Sequence, residues 1–160
     1  MDSFKMLFSK EVIHLLTYAI SKYGSIELPA QGNSMFPFIR KGDICRFIPC
    51  DASALKKGDI ILFHTPTGQL IAHRYYELKP INNQMQYLFK GDTNLGFDMP
   101  VSREQIIGKL IQIQKNKRPI LVTDWAAYFW GKLILAFPII SYLLRKYLNF
   151  KENRPSGATL

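Results

Sequence analysis

The sequence predicts a mainly β protein with a helical segment at each end. Between residues 25 and 123, short apolar runs alternate with glycine, proline and asparagine, a pattern typical of strands joined by tight turns. Residues 9–23 instead space their apolar side chains as an amphipathic helix does, and residues 124–150 are largely apolar and aromatic. A chain of 160 residues with 48% hydrophobic content is long enough for one packed core. We therefore expect one β domain between an N-terminal amphipathic helix and a C-terminal apolar helix.

The N-terminal segment, residues 1–24, is predicted to contain the amphipathic helix. Ser9 is available as its N-cap and Gly24 as its stop. The apolar stripe of this helix consists of Val12, Ile13, Leu15, Leu16, Ala19, Ile20 and Tyr23. Charged and polar side chains interrupt the stripe, so the segment resembles neither a signal peptide nor an N-terminal membrane anchor. We therefore expect no export of the β domain.

The β domain, residues 25–123, is predicted to contain a series of short strands. They cover residues 44–49, 59–64, 70–78, 85–89, 106–114 and 119–122. Gly-Asp pairs at 42–43, 58–59 and 91–92 lie beside these strands and indicate turns. On this basis Asp43 and Asp59 are expected to be structural.

The C-terminal segment, residues 124–150, is predicted to be one apolar, membrane-associating helix. A helix that spans a bilayer needs about 20 apolar residues, and here Gly131, Lys132 and Pro138 interrupt the run. Insertion at the membrane interface or as a re-entrant segment is thus favoured over a full span. The alternatives are a helix buried against the β domain and a homodimer contact. Residues 151–160 are expected to be a disordered tail.

The charge of the chain predicts an anionic partner. Its formal net charge is +9, from 21 basic and 12 acidic residues. No recognition-helix, zinc or RNA-binding pattern accompanies this charge, which argues against nucleic acid. The basic residues Arg145, Lys146 and Lys151 follow the apolar segment, and Trp125, Tyr128 and Trp130 precede it. This arrangement favours anionic lipid, with the three aromatic side chains at the level of the headgroups.

Neither the cysteines nor the histidines form a pattern of metal or cofactor ligands. Cys45 and Cys50 lie close together on a predicted strand, where their odd separation points them to opposite faces and makes a disulfide unfavourable. They lack Cys-x-x-Cys spacing, and the three histidines include no close pair. We expect no metal and no cofactor.

Three side-chain types that make up a nucleophilic hydrolase occur in chain order. Ser34 lies between a glycine and a proline, ahead of a turn. A serine becomes a good nucleophile only when a neighbouring base takes its proton, and His73, on a predicted strand, is the best candidate for that base. A carboxylate should then orient the imidazole. Asp92 and Asp98, in a loop rich in turn residues, both qualify.

Sequence blocks around these residues resemble the type I signal peptidase family. The similarity covers roughly residues 28–113, more than half of the 160-residue chain, and the blocks fall in the order found in the family. The matching blocks are Gly-Asn-Ser-Met-Phe-Pro at 32–37 followed by Gly-Asp at 42–43, Gly-Asp-Ile-Ile-Leu-Phe at 58–63 leading to Ile-Ala-His-Arg at 71–74, and Lys-Gly-Asp at 90–92 followed by Asp98, Pro-Val at 100–101 and Ile-Ile-Gly-Lys at 106–109.

The resemblance implies a role for each candidate residue. Ser34 matches the nucleophile, His73 the general base, Asp98 the carboxylate that orients the histidine, and Asp92 an additional acidic residue. Bacterial housekeeping signal peptidases and the self-cleaving SOS repressors use a lysine in place of His73. The chain is therefore similar to the endoplasmic-reticulum, archaeal and sporulation-type branch, and a signal-peptidase-like β catalytic domain is expected.

The chain departs from the family at the position two residues before the nucleophile. Many signal peptidases have a hydroxyl residue there that helps to bind the oxyanion, whereas this chain has Gly32. Oxyanion stabilisation would then depend on backbone N–H groups, chiefly that of Ser34, with Gly32 and Asn33 supporting the turn.

The function expected from this resemblance is that of a serine endopeptidase at the cytoplasmic membrane, cleaving a leader or precursor peptide through an acyl-enzyme. Because residues 1–24 resemble no export signal, the site is expected on the cytoplasmic side. Three alternatives stay open: a self-processing regulator, a catalytically inactive module that binds peptides, and a basic adaptor at the membrane surface. The sequence gives no indication of the oligomeric state.

Overall fold

The computed structural model describes residues 7–115 and 118–153, and these form a mainly antiparallel β structure with three α-helices. The coarse fold predicted from the sequence is confirmed. The strands are β1 (Ile26–Pro29), β2 (Ile44–Ile48), β3 (Ile60–His64), β4 (Leu70–Ile81), β5 (Gln84–Lys90), β6 (Ile106–Lys115) and β7 (Arg118–Leu121). The helices are α1 (Lys10–Tyr23), α2 (Trp125–Ala136) and α3 (Pro138–Glu152).

All seven strands belong to one sheet in the order β1-β2-β6-β3-β4-β5, and β7 also pairs with β6. Every pairing is antiparallel. Strand β3 lies between β4 and β6, so it is shielded from water on both edges. This position explains its unbroken apolar run, because a strand that is covered on both faces does not need to alternate apolar and polar side chains.

The sheet buries apolar side chains on both faces. Ile60 and Leu62 belong to a cluster that includes Ile13 and Ile20 of α1. Their neighbours Ile61 and Phe63 belong to a second cluster, which includes Phe89. Successive side chains of a strand point to opposite faces, so β3 alone contributes to both clusters. The candidate base is on the second face, where Phe63 packs edge-on against the ring of His73 at 6.5 Å between ring centroids.

Helix α1 covers the first face and has the predicted ends. Ser9 accepts a hydrogen bond from the N–H of Val12 at 3.4 Å, and Gly24 ends the helix in the left-handed conformation with φ 76°. Ile20 packs directly over Gly108 of β6, where an added Cβ would lie 2.5 Å from its Cδ1 atom. Only glycine allows the helix to approach the sheet this closely.

Two strand features differ from the expectation. Strand β1 was not predicted, because its four residues end in a proline, which weakens a strand pattern. Strands β4 and β5 extend to a tight hairpin at Asn82 and Asn83, whose φ angles are 51° and 63°. Asparagine tolerates positive φ better than most residues, so the Asn-Asn pair is the signal for this hairpin.

The C-terminal apolar segment forms two helices where the sequence suggested one. Helices α2 and α3 meet at Phe137 and Pro138 with a bend of 99°. Proline has no N–H to continue the helix and its ring clashes with the preceding turn, so the break at Pro138 has a physical cause. Neither helix has the length and apolar character to span a bilayer, whereas the bent pair meets the criteria of length and composition.

The predicted start of the disordered tail, at residue 151, lies inside a helix. Helix α3 continues through residues 151 and 152, and Asn153 caps it. Residues 154–160 lie outside the described part of the chain.

Candidate active site

Ser34 lies in the connection between β1 and β2, in a loop that its own residues hold in place. The side-chain oxygen of Asn33 accepts from the N–H of Lys41 at 3.0 Å, and the Asn33 carbonyl accepts from the N–H of Phe36 at 3.0 Å. Met35 and Ile39 are buried in the first apolar cluster. The serine is thus presented from a loop anchored on both sides of it, which supports the predicted turn role of Asn33.

The segment that follows β5 holds the Ser34 backbone. Thr93 donates to the carbonyl of Ser34 through its N–H at 2.9 Å and through its hydroxyl at 3.2 Å. In the described part of the chain, the N–H of Ser34 donates to no acceptor. A free backbone donor at the nucleophile is what an oxyanion would need.

His73, on β4, connects Ser34 to Asp98. Its Nε2 atom lies 2.9 Å from Ser34 Oγ, and its Nδ1 atom lies 2.6 Å from Asp98 Oδ2. The histidine is only 5% exposed, so these two contacts define its polar environment. Asp98 is brought back to the sheet because its N–H donates to the carbonyl of Phe89 at 2.9 Å.

The contacts of Asp98 determine which imidazole nitrogen carries the proton. An ionised carboxylate can only accept, so Nδ1 of His73 donates to Asp98. In the neutral ring Nε2 is then unprotonated and accepts the hydroxyl proton of Ser34. This is the arrangement in which a histidine can act as general base towards a serine.

Asp92, the other predicted carboxylate, does not contact His73. It forms a bidentate ion pair with Arg74, with Nε to Oδ1 at 2.7 Å and Nη2 to Oδ2 at 3.0 Å. The two side chains are 2% and 0% exposed. Arg74 also donates to the carbonyl of Gly58 at 3.2 Å. Asp98 is therefore the carboxylate that contacts His73, and Asp92 is a partner for the buried charge of Arg74.

The ion pair has a further partner from the C-terminal segment. Trp130 of α2 donates from its indole N–H to Asp92 Oδ2 at 2.8 Å. The expectation that Trp130 lies at the headgroup level is therefore wrong, because its polar atom is bound to the β domain. Trp125 and Tyr128, its two companions in that expectation, are 78% and 61% exposed.

Two glycines near the site have different steric surroundings. A Cβ added at Gly91 would lie 2.9 Å from His73 Nε2, the atom that contacts Ser34. Position 91 thus requires the absence of a side chain. A Cβ at Gly32 would have no neighbour within 4 Å, so the loop has space for the hydroxyl residue that the resemblance leads one to expect there.

The two cysteines and the other histidines lie apart from this constellation. Both cysteines are free thiols, and burial raises the pKa of Cys45 to about 12 and also raises that of Cys50. A thiol with such a raised pKa is a poor nucleophile. Within residues 7–115 and 118–153, no group of His, Cys, Asp and Glu side chains could hold a metal ion.

The structure brings Ser34, His73 and Asp98 together in one hydrogen-bonded chain and gives Asp92 a different partner. Sequence reasoning missed Arg74 and Thr93, although each directly follows a residue that it had singled out. It also missed the hydrogen bond of Trp130 to Asp92. The one available signal was chemical, because a tryptophan that is partly buried usually finds an acceptor for its N–H.

Comparison with known protein families and with curated protein sequences gives no match to this chain.

Proposed function

We propose that this protein is a serine endopeptidase of the signal-peptidase type, with Ser34 as nucleophile, His73 as general base and Asp98 as the residue that orients the base. The observation that carries the proposal is the chain of contacts at 2.9 Å and 2.6 Å through the two nitrogens of one buried imidazole. These residues come from three separate parts of the chain, so their convergence is not a consequence of sequence proximity.

The proposed reaction is acyl transfer. Ser34 Oγ attacks a peptide carbonyl carbon while His73 Nε2 takes the hydroxyl proton. Asp98 stabilises the imidazolium ion that forms. His73 then gives the proton to the leaving amine as the C–N bond breaks, which leaves an ester on Ser34. A water molecule, activated by the same histidine, hydrolyses the ester and restores the serine.

The oxyanion of the tetrahedral intermediate requires hydrogen-bond donors. The N–H of Ser34 meets this requirement, since no acceptor in the described residues engages it. Gly32 provides no side-chain donor, so the proposed oxyanion site is made of backbone N–H groups.

A precursor or leader peptide is the proposed substrate, and the catalytic domain is proposed to have the signal-peptidase-like β fold. The support is the similarity of the sequence blocks around Ser34, His73 and Asp98, together with an antiparallel sheet that carries them. An inactive peptide-binding module is less well supported, because it would have no need for a histidine held between a serine and a carboxylate.

Association with anionic lipid at the cytoplasmic membrane is proposed for the α2–α3 pair. Its exposed apolar and aromatic side chains include Trp125, Tyr128, Phe129, Leu133, Phe137, Ile139, Tyr142 and Leu143. Lys132, Arg145, Lys146 and Lys151 add positive charge to the same segment. Apolar insertion and attraction to anionic headgroups reinforce each other at a membrane surface.

A serine-directed acylating probe tests the enzymatic proposal. The full-length protein should form one covalent acyl adduct with a β-lactam, whose ring opens on attack by serine, and intact mass should show none on Ser34→Ala. The reaction should also depend on His73, because loss of either member of such a pair lowers turnover by about a million-fold. Equal labelling of wild type and Ser34→Ala would reject Ser34 as the nucleophile.

A further inference from the structure

The indole of Trp130 connects the C-terminal helices to a buried charge in the β domain. It donates to Asp92 Oδ2 at 2.8 Å, and the same carboxylate is paired with Arg74 at 2.7 Å and 3.0 Å. A fully buried carboxylate is stable only when hydrogen bonds satisfy its oxygens. The N–H of Trp130 is one of the three donors that do so.

Asp92 is flanked in sequence by two residues that contact the reacting groups. Gly91 lies against His73, since a Cβ at this position would be 2.9 Å from the Nε2 atom. Thr93 donates twice to the carbonyl of Ser34, at 2.9 Å and 3.2 Å. The segment 91–93 therefore touches both the nucleophile and the base, and the side chain of Asp92 fixes its position.

The C-terminal helices make two more contacts with the site. Tyr147 of α3 stacks on Phe36, two residues after Ser34, with 5.8 Å between ring centroids. Gly131 of α2 lies against the guanidinium of Arg74, where an added Cβ would be 3.0 Å from Nη1. The α2–α3 pair thus adjoins both the nucleophile loop and the ion pair that follows the base.

We infer that the α2–α3 pair is a positioning element of the catalytic site, and that Trp130 is a positioning residue that acts through Asp92 on Ser34 and His73. This inference depends on the proposed function. It departs from the expectation that the C-terminal segment only attaches an independent β domain to a membrane. A displacement of about 1 Å between reacting groups can cost about a hundredfold in rate. A residue that fixes the position of segment 91–93 can therefore change the reaction rate by a large factor.

The experiment compares full-length Trp130→Phe with full-length Tyr23→Phe. Both variants remove the polar hydrogen of one aromatic side chain, but Tyr23 is 71% exposed and Trp130 donates to Asp92. The rate constant of acylation at a saturating concentration of a β-lactam and the fraction of folded protein, from circular dichroism, are measured separately. We expect Trp130→Phe to lower the rate constant about tenfold, the effect of losing one hydrogen bond to a charged group, while the protein stays fully folded. Tyr23→Phe should match wild type.

The two measurements separate positioning from loss of stability. A merely destabilising change lowers the observed rate constant only in proportion to the fraction of folded protein. Gly131→Ala provides an independent variant, because its Cβ would press on Arg74, while the higher helix propensity of alanine offsets part of the cost in stability. It should lower the acylation rate constant while the protein stays folded at the assay temperature.

The outcomes for the inference and for the proposed function are distinct. If wild type acylates at Ser34 and both Trp130→Phe and Gly131→Ala react at the wild-type rate constant, the positioning role is wrong and the peptidase proposal stands. If wild type itself fails to acylate at Ser34, both are wrong. A fall in the rate constant that only matches the fall in the folded fraction would reduce Trp130 to a structural role and overturn the inference.

Discussion

Exchanging each of the two loop aspartates for asparagine should separate catalysis from stability, because the structure gives the two carboxylates different partners. Asp92 neutralises Arg74, and the side chains of this pair are 2% and 0% exposed. Removing one partner of a buried pair costs about 3–5 kcal/mol of unfolding free energy. Asparagine retains one acceptor oxygen, so we expect a loss near 3 kcal/mol for Asp92→Asn. For a chain of this size that corresponds to a melting temperature about 6–12 °C lower.

Asp98→Asn should show the opposite profile. Its contact with His73 at 2.6 Å selects the imidazole tautomer, and an asparagine there leaves the ring free to adopt the wrong one. The acylation rate should fall about 10⁴-fold, with a melting temperature within about 3 °C of wild type, since its side chain is 15% exposed and no buried cation depends on it. Asp51→Asn is the matched control, because Asp51 is exposed, its ion pair with Arg103 is long at 3.6 Å, and asparagine can still accept the hydrogen bond that the N–H of Ser53 donates at 2.9 Å.

Thermal unfolding and the rate of acylation by a β-lactam, measured on the same preparations, test both statements. The reasoning would be refuted if Asp92→Asn unfolded at the wild-type temperature, or if Asp98→Asn acylated at the wild-type rate.

Three further predictions follow from the same geometry. His73→Lys should not acylate at neutral pH, because Asp98 would favour the charged form of the lysine; appreciable acylation would mean that this carboxylate does not face position 73. Gly91→Ala should lower the acylation rate about a hundredfold by displacing the imidazole from Ser34, whereas Gly96→Ala, where a Cβ meets nothing within 4 Å, should have no effect. Replacing the exposed Phe129 by serine should weaken sedimentation with anionic vesicles and leave the acylation rate unchanged; undiminished sedimentation would argue against lipid contact through this face of α2.

The sequence could predict the site residues whose chemistry is local. Ser34, His73 and Asp98 each have a distinctive neighbourhood of turn or strand residues, and their order along the chain suggested the set that the structure brings into one hydrogen-bonded chain. The sequence alone did not decide which of Asp92 and Asp98 contacts His73. Both lie in the same loop, and only the pairing of β4 with β5 puts Asp92 beside Arg74.

The strands were predictable for a related reason. Those with β-branched and aromatic runs, such as β3 and β6, were found within a residue or so of their ends. Strand β1 was not, because its four residues pair with β2 without a pattern of their own. Strand β1 depends on pairing with β2, which follows the nucleophile loop. The spacing of apolar residues in one strand does not reveal such a partner.

The two faces of helix α2 could not be told apart from the sequence, because both are apolar. Ala127, Gly131 and Ile134 are buried and repeat with helical spacing, on the side where Trp130 reaches Asp92. Tyr128, Phe129 and Leu133 are exposed on the other side. A helix that is apolar all round is usually buried all round, and its sequence does not say which face meets which partner.

This division gives the helix two separable contacts. The inner face meets the β domain through the hydrogen bond of Trp130 to Asp92 and through Gly131, which lies against Arg74. The outer face presents aromatic and aliphatic side chains next to Lys132 and the cations of α3. Because the two faces belong to one helix, a ligand of the outer face would change the position of Trp130 only if it bound the docked helix, in which Trp130 reaches Asp92, with a different affinity from the undocked helix.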